Sequence, residues 1–393
     1  MRAPELLAPA GDMNKLRLAI AYGADAVYLG GSKFGLRSSA TIADDFLPQA
    51  VTYAHERGKK VYVTVNIFAR NNDFDEIKEY AKYLDVIGVD AVIVSDIGVL
   101  RTVRENTELE IHVSTQANVI NKFTAEEYVK LGASRIILAR ECSLDEVKEI
   151  VEHVAPMGCD IEVFVHGAMC VSYSGRCLLS NYMTGRESNR GECAQPCRWE
   201  YDLVERKRPD ESFEINQDKY GTYIMNSKDL CMIEHLDKMK ATGAVSFKIE
   251  GRMKSEYYVA SVVSAYRRAL DGEKFNYIEE LNKIAHRPYT TGFAFGKLDD
   301  TEYPKSADPI STHQVIAQCL GGSKIRQLNV FCEGDTLEIL SPGINHNRTF
   351  LAANIKDESG EVVTRANKTS FIYEVDCPFE LKTDDFLRKI VHT

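Results

Sequence analysis

Apolar and polar positions follow a repeating order along roughly the first 270 residues of the chain. Short runs rich in β-branched residues alternate with segments whose apolar residues lie three and four apart, for example 75–84, 125–131, 144–154 and 228–240. The runs predict buried strands, and the segments between them predict amphipathic helices. Eight such strands are predicted, at residues 6–10, 24–30, 60–66, 90–96, 110–116, 135–141, 160–167 and 245–252.

A glycine stands between several of these helices and the strand that follows, at Gly23, Gly88, Gly132 and Gly243. Glycine suits the left-handed position just after a helix, so the recurrence indicates a repeated βα unit. Eight such units predict an α/β fold in which a closed (β/α)8, TIM-like barrel forms the larger part. An open, doubly wound sheet is the alternative, but no G-x-G-x-x-G motif follows the first strand, which disfavours a dinucleotide-binding fold.

The pattern changes after about residue 275. Short strands are predicted at 313–319, 324–332, 336–340, 349–355, 361–366 and 370–375, with turn residues between them. We therefore expect a barrel domain at 1–275, a helical and loop linker at 276–311, and a small C-terminal all-β barrel domain at 312–393. An insertion after the seventh strand, at about 168–226, is too long for an ordinary loop and is predicted to be functional.

Polar residues stand at or just beyond the C-terminal ends of the predicted barrel strands. In a barrel of this kind that face carries the chemistry. The alternative interpretation is that strand ends meet solvent and are polar for that reason alone. The residues are Asn66, Asp96, Gln116, Arg140, Glu141, His166, Glu250 and Arg252.

Composition places the chain among ordinary soluble globular proteins, because 44% of its 393 residues are apolar and 27% are charged. With 48 basic and 58 acidic residues the net charge is −10, so any contact with nucleic acid needs a local basic patch. No apolar run approaches the roughly 20 residues that span a bilayer, and the N-terminal sequence lacks the features of a secretory signal. The chain is therefore expected to be cytoplasmic, without membrane contact. The nearest candidates for a basic patch are Lys228, Lys238, Lys240, Lys254, Arg267 and Arg268.

Four of the ten cysteines fall within the 28 residues of the insertion that run from Cys170 to Cys197, with Cys177 and Cys193 between them. Their spacing is C-x6-C-x15-C-x3-C. Four thiolates are the usual ligands of a [4Fe–4S] cluster. Zinc also accepts four thiolates, and reduced thiols without metal are the third possibility. Arginines such as Arg176 lie between these cysteines and would offset the charge of a cluster or bind an anionic substrate.

Several blocks in this order resemble peptidase family U32, the collagenase-like peptidases. They are E-L-L-A-P-A-G at 5–11, G-A-D-A-V-Y-L-G at 23–30, H-V-S-T-Q at 112–116, the cysteine block at 170–197, and F-K-I-E-G-R at 247–252 with Tyr257 downstream. The resemblance extends over almost the whole chain. It implies an iron–sulfur enzyme that hydroxylates C5 of the wobble uridine of tRNA without oxygen, with prephenate as the source of the hydroxyl group.

The expected roles follow from side-chain chemistry. Lys248 and Arg252 would hold a carboxylate or phosphate. Glu250 would orient those two cations or act as general acid or base, and His166 would shuttle protons. Asn66 and Gln116 would read a base. Arg140, Arg176 and Tyr257 complete the expected substrate site.

Other interpretations stay open at this stage. Lys248 and Glu250 could form a salt bridge inside the barrel without contacting substrate. His166 lies four residues before Cys170, so a cysteine peptidase is the alternative enzyme, although a thiolate that binds metal is not a free nucleophile. A non-catalytic RNA-binding or scaffold protein with a structural metal site is the alternative from another class.

Overall fold

The computed structural model describes residues 3–36, 40–169, 177, 179–186, 190–194, 196, 203–204, 212–213, 216–218, 221–223, 228–296 and 310–391. The chain forms two compact units. The first comprises Met1–Leu16, Ala24–Lys254 and Arg287–Asp308. The second comprises Arg17–Gly23, Ser255–His286 and Pro309–Thr393.

Parallel strands alternating with helices build the first unit. Its strands are β1 (Glu5–Pro9), β2 (Ala26–Gly30), β3 (Lys60–Val65), β4 (Ala91–Val94), β5 (Glu110–Val113), β6 (Arg135–Ile137), β7 (Asp160–Ala168), β8 (Leu203–Val204), β9 (Ser212–Phe213), β10 (Asn216–Asp218), β11 (Gly221–Tyr223), β12 (Asp229–Cys231), β13 (Ser246–Ile249) and β14 (Tyr289–Thr290). The helices in this part of the sequence are α1 (Met13–Ala21), α2 (Leu47–His55), α3 (Phe74–Val86), α4 (Ile97–Asn106), α5 (Lys122–Lys130), α6 (Leu144–Val154), α7 (Leu179–Thr184) and α8 (Leu236–Ala241).

Eight parallel strands close into a barrel. Strands β1 to β7 pair in sequence order, and β13 pairs with both β7 and β1 to complete the ring. The predicted TIM-like barrel and its eight strands are therefore confirmed. The glycines at 23, 88, 132 and 243 all adopt the predicted left-handed conformation, with φ between 81° and 105°.

Two further strands extend the sheet beyond the ring. Strand β12 pairs antiparallel with the C-terminal end of β7, and β14 pairs with β12. The predicted helix at 228–240 is wrong in its first half, since the chain there forms β12 and a 3-10 turn, Ile233–His235, before α8. Pairing with β7 buries Leu230 and Cys231, and this tertiary contact outweighs the local helical pattern.

The second unit contains helices α9 (Glu256–Leu270) and α10 (Tyr277–Leu281) with an antiparallel sheet. Its strands are β15 (His313–Gly321), β16 (Lys324–Gln327), β17 (Phe331–Cys332), β18 (Thr336–Leu340), β19 (Thr349–Leu351), β20 (Ala353–Lys356), β21 (Arg365–Ala366), β22 (Ile372–Asp376) and β23 (Phe386–Ile390). Seven of them form one sheet in the order β19-β18-β23-β15-β16-β22-β20. Only Ala352 separates the two edge strands β19 and β20, so the sheet must curl round on itself.

The sequence analysis missed β23, which lies in the interior of this sheet. Its central Arg388 is fully buried, and its guanidinium bonds to Glu280 at 2.8 Å and to Glu338 at 2.6 Å. A charge in the middle of the strand interrupts the apolar pattern that predicts strands. The sequence also assigned α9 to the barrel and α10 to a linker, whereas both belong to the second compact unit.

Candidate functional site

The C-terminal ends of the barrel strands surround a polar cavity. Hydroxyl, amide, carboxylate and cationic groups line it together with aromatic and aliphatic side chains. The lining residues are Tyr28, Leu36, Thr64, Asn66, Ile93, Ser114, Thr115, Gln116, Ile137, Phe164, Lys248, Glu250 and Arg252. Five residues predicted for the site, at positions 66, 116, 248, 250 and 252, are thereby brought together.

The period of the strands explains which side chains reach the cavity. Residues two apart on a strand face the same side, so Lys248 faces the barrel interior, and Glu250 and Arg252 follow at the same spacing just beyond the C-terminal end of β13. Tyr28, Ile93, Ile137 and Lys248 come from alternate strands of the ring, which is how barrel interiors are layered. Lys248 is the one charged side chain in this layer of four, and it also lines the cavity.

The Lys248 ammonium is held from within the barrel by a carboxylate. Its Nζ lies 3.0 Å from Oε1 of Glu162, and both side chains are almost completely buried. The same Nζ lies 4.2 Å from the centre of the Tyr28 ring. The predicted alternative, a bridge from Lys248 to Glu250, is wrong in its partner: the barrel-interior salt bridge exists, but its acid is Glu162.

Glu162 remains an anion in spite of its burial. Burial alone would raise the pKa of this carboxyl, but Lys248 and then Arg135 outweigh it, and the pKa is lowered overall. Arg135 lies 3.3 Å from Glu162 and 2.7 Å from Glu5. Two cations thus face two carboxylates inside the barrel, and the Tyr62 hydroxyl also donates to Glu5. Sequence reasoning missed this group, although charged residues inside otherwise apolar strands were a visible signal.

Two glycines make room for Arg252. A Cβ atom on Gly11 would lie 2.2 Å from the backbone oxygen of Arg252, and one on Gly30 would lie 2.4 Å from its Nη1. The guanidinium is only 4% exposed, and Nη1 donates to the hydroxyl of Thr64 at 3.2 Å. Gly11, shortly after β1, and Gly30, the last residue of β2, therefore let a long cationic side chain lie across the strand ends.

Glu250 forms its ion pair with Arg140 rather than with Lys248. Nη2 of Arg140 lies 3.2 Å from Oε2 of Glu250, and Nη1 donates to the backbone oxygen of Ala168 at 2.5 Å. The Arg140 guanidinium also stacks 4.0 Å from the centre of the Phe164 ring. The predicted residue Arg140 is thus placed beside the cavity, where it orients the carboxylate.

Asn66 and Gln116 differ in how firmly they are held. The side-chain oxygen of Asn66 accepts from the backbone of Leu36 at 3.3 Å, and its amide donates to Ser114 at 3.4 Å. The backbone of Gln116 is fixed by the Ser114 hydroxyl at 3.2 Å. Asn66 is consequently a buried organiser of the wall, while Gln116 presents a partly exposed amide to the cavity.

Other predicted site residues lie elsewhere. His166 is 1% exposed, and its ring lies 5.6 Å from the ring of Tyr289 on β14, outside the set that lines the cavity. Tyr257 belongs to the second unit, where its hydroxyl donates to the Lys283 carbonyl at 3.1 Å and accepts from Arg388 at 3.4 Å. The structure therefore does not bring these two residues into the cavity group.

The predicted metal ligands are described only in part. Of the four, the structure describes Cys177, which is partly exposed, and Cys193, which is well exposed. Cys170, Cys197 and Arg176 lie outside the described residues, and so does the geometry of the alternative His166–Cys170 pair. The described residues alone contain no group of three or more side chains able to hold a metal ion. By contrast, burial raises the pKa of both Cys142 and Cys159 to about 12, which keeps them as inert thiols.

The six residues predicted for a basic patch divide between the two units of the chain. Arg267 and Arg268 belong to the second unit and form ion pairs with Asp271 and Glu273. Lys238 lies over the ring of Phe295 in the first unit. Among the described residues, no helix is both long enough and apolar enough to cross a bilayer.

Comparison with known proteins adds the family. A model described as Peptidase family U32 matches residues 11–303, and one described as Peptidase family U32 C-terminal domain matches residues 312–388. The tRNA hydroxylation protein P1 of Bacillus subtilis (strain 168) is 38% identical over 410 residues, which cover 99% of this chain and 95% of that protein. The tRNA hydroxylation protein P of Escherichia coli (strain K12) is 36% identical over 436 residues, with 97% and 95% covered. A 23S rRNA 5-hydroxycytidine synthase of Escherichia coli (strain K12) is 37% identical over 281 residues, which cover 72% of this chain and 41% of that protein.

Proposed function

The chain belongs to peptidase family U32, and on that basis we propose that it is an enzyme that hydroxylates tRNA. In the fuller form of the proposal it is an iron–sulfur enzyme that replaces the C5–H bond of the wobble uridine with a C5–OH bond and takes the hydroxyl group from prephenate. The uridine is thereby oxidised by two electrons, and the prephenate carbon that loses the hydroxyl group and gains the hydrogen is reduced by two. Near full-length similarity to proteins named for tRNA hydroxylation supports the reaction class. The observation that carries the assignment of the site is the cavity, where two buried cations and a positioned carboxylate meet at the barrel mouth.

The two cations suit a small dicarboxylate such as prephenate. Arg252 presents a planar, permanently charged fork that can bind a carboxylate through two parallel hydrogen bonds. Lys248 adds a point charge, which the hydrogen bond to Glu162 holds in one position. Because both cations are more than nine-tenths buried, their attraction for an anion is screened less by solvent than that of surface lysines.

Glu250 and the amides have separate tasks in this proposal. Arg140 fixes the Glu250 carboxylate at the cavity wall, where it can accept or donate a proton at the reacting base. Gln116 can donate to and accept from the polar edge of a uracil ring, since its side chain carries both kinds of group. Asn66 supports the wall through its bonds to Leu36 and Ser114.

The four cysteines of the insertion supply a donor set that fits a [4Fe–4S] cluster, and zinc is the alternative occupant. Cys177 is partly and Cys193 well exposed to solvent, as ligands of a cluster loaded after folding need to be. The insertion leaves the barrel at the end of β7, on the same face as the cavity. When bound, a cluster would supply the electron transfer that no side chain of the cavity can provide.

The test begins with anaerobic purification and an assay of iron, acid-labile sulfide and zinc. We expect about four irons and four sulfides per chain, as four thiolate ligands imply. Unmodified tRNA is then incubated with the protein, prephenate and a reductant, and its nucleosides are analysed by mass spectrometry. Oxygen-independent gain of one oxygen on the wobble uridine supports the proposal. A well-folded protein that holds stoichiometric zinc or no metal, and leaves tRNA unchanged, would contradict it.

A further inference from the structure

Exposed apolar side chains gather around the mouth of the cavity. Phe68 follows the cavity residue Asn66 by two positions, and Met253 directly follows Arg252. Ile97 begins α4 just after β4, and Ile120 lies between β5 and α5. We call these four residues, Phe68, Ile97, Ile120 and Met253, the mouth collar; each is between 37% and 53% exposed.

This apolar surface is concentrated at one end of the barrel. Loops at strand ends are ordinarily polar, and solvent-facing apolar groups around a pocket indicate a surface that another molecule covers. The opposite end has Val86, the last residue of α3, and Met157, shortly before β7, as its exposed large apolar residues in the described part of the unit. The collar thus coincides with the face that carries the cavity.

A basic residue follows three of the collar positions at short distance. Arg70 comes two residues after Phe68, Lys122 two residues after Ile120, and Lys254 directly after Met253. Lys122 is within reach of Glu149 on α6 and forms an ion pair with it. Basic residues therefore follow three of the four apolar collar residues in the chain.

Two of the nearby carboxylates already have partners. Asp73 is bound by Arg190 at 2.7 Å, and Asp96 accepts the backbone N–H of Val99 at 3.1 Å as the cap of α4. Repulsion of an anionic ligand by these two acids is reduced accordingly. An occupant with flat apolar faces and a negatively charged backbone fits this combination.

From this we infer that the mouth collar binds the unpaired bases on either side of the target nucleotide in an RNA loop, while the target enters the cavity. This inference rests on the proposed function. A paired duplex hides its base faces, whereas loop bases can be splayed out and packed on protein side chains. Chemistry on a base at the bottom of a cavity also requires that base to leave its stack, and contacts to its neighbours would hold the opened loop.

The test measures binding of a fluorescently labelled RNA stem-loop with the sequence of a tRNA anticodon arm. A paired duplex of the same length serves as the second probe. The collar variant is Phe68→Ala combined with Ile120→Ala, and the matched control is Val86→Ala combined with Met157→Ala at the opposite end. Because all four side chains lie partly in solvent, these changes leave the core intact, which circular dichroism checks.

We expect the wild-type protein to prefer the stem-loop, and the collar variant to bind it roughly 5- to 100-fold more weakly, in line with the loss of contacts to one or two bases. The control variant should stay within about twofold of the wild type, as for surface positions outside a binding site. Phe68→Trp should retain or strengthen binding.

Equal binding of the stem-loop by the wild type and the collar variant, or equal binding of stem-loop and duplex by the wild type, would overturn the inference. If the tRNA hydroxylation assay still succeeds in that case, the proposed function survives without the collar. If the wild type neither binds nor modifies RNA, the proposed function and the inference fail together.

Discussion

Replacing Lys248 with methionine removes one member of the buried pair at the cavity floor while keeping an unbranched side chain of similar length. Glu162 then faces only Arg135, at 3.3 Å. The substitution separates two roles of Lys248, its part in the barrel interior and its proposed part in substrate binding. The role in substrate binding can be measured only in a variant whose loss of stability has been restored.

The magnitude follows from the geometry. Two unit charges 3.0 Å apart attract by about 5.5 kcal/mol at an effective dielectric constant of about 20. Much of this offsets the cost of burying the charges, and breaking one partner of a buried pair costs about 3–5 kcal/mol. Because Arg135 still compensates part of the Glu162 charge, we expect Lys248→Met to reduce the free energy of unfolding by about 3 kcal/mol, the lower end of that range.

A second substitution that restores the charge balance is predicted to recover the stability lost in Lys248→Met. Adding Glu162→Gln to Lys248→Met leaves Arg135 paired with Glu5 at 2.7 Å and with the more exposed Asp160 at 3.6 Å. The double variant should therefore recover most of the lost stability. As a matched control, Lys82→Met breaks only the exposed pair with Glu79 and should cost less than about 1 kcal/mol.

The loss of unfolding free energy caused by Lys248→Met should also depend on pH. The folded-state pKa of Glu162 is lowered because Lys248 and Arg135 outweigh its burial. A lowered carboxyl pKa contributes stability that is present above the ordinary value of 4.5 and is lost as the pH falls through the folded-state pKa. The difference between wild type and Lys248→Met should be largest near neutral pH and should shrink in acid.

Urea unfolding monitored by circular dichroism at several pH values measures these differences, and tRNA hydroxylation is measured on the same samples. A double variant that folds but does not modify tRNA assigns Lys248 to substrate binding. If Lys248→Met is as stable as the wild type at neutral pH, the reasoning about the buried pair is refuted. Full activity of the folded double variant would instead refute the role in binding.

Three further changes address other parts of the chain. Gly30→Ala should displace the Arg252 guanidinium, whose Nη1 lies 2.4 Å from the added Cβ, and should lower hydroxylation far more than thermal stability; unchanged activity would contradict the role of Arg252. Cys193→Ala should lose iron, sulfide and tRNA modification but keep its circular dichroism spectrum, and full iron content would remove this residue from the ligand set. Arg388→Met should cost the second unit about 3–5 kcal/mol near neutral pH and less in acid, because burial of Glu280 is outweighed by Arg388 and its pKa is lowered to about 2; urea unfolding that shows no loss at neutral pH would disprove this.

The period of the apolar residues was sufficient to predict the barrel. Each of the eight strands is buried along nearly its whole length, so its signal is local and continuous. The positions of Asn66, Gln116, Glu250 and Arg252 at the cavity also follow from the sequence. Parallel strands in a closed ring place all their C-terminal ends at one face, whatever the partners of each side chain are.

Only the tertiary structure shows which residues pair with the buried charges and which predicted site residues lie elsewhere. Lys248 contacts Glu162, which lies 86 residues away in sequence. The buried charge of Arg388 is compensated by ion pairs with Glu280 and Glu338. His166 stands near the end of a barrel strand, where the sequence predicts a place in the site. It packs against Tyr289 instead, because the added strand β12 covers the end of β7. Sequence periodicity records which residues avoid water, since that preference belongs to each residue separately. Which charges neutralise each other inside the protein depends on distances between remote segments, and only the folded chain determines those.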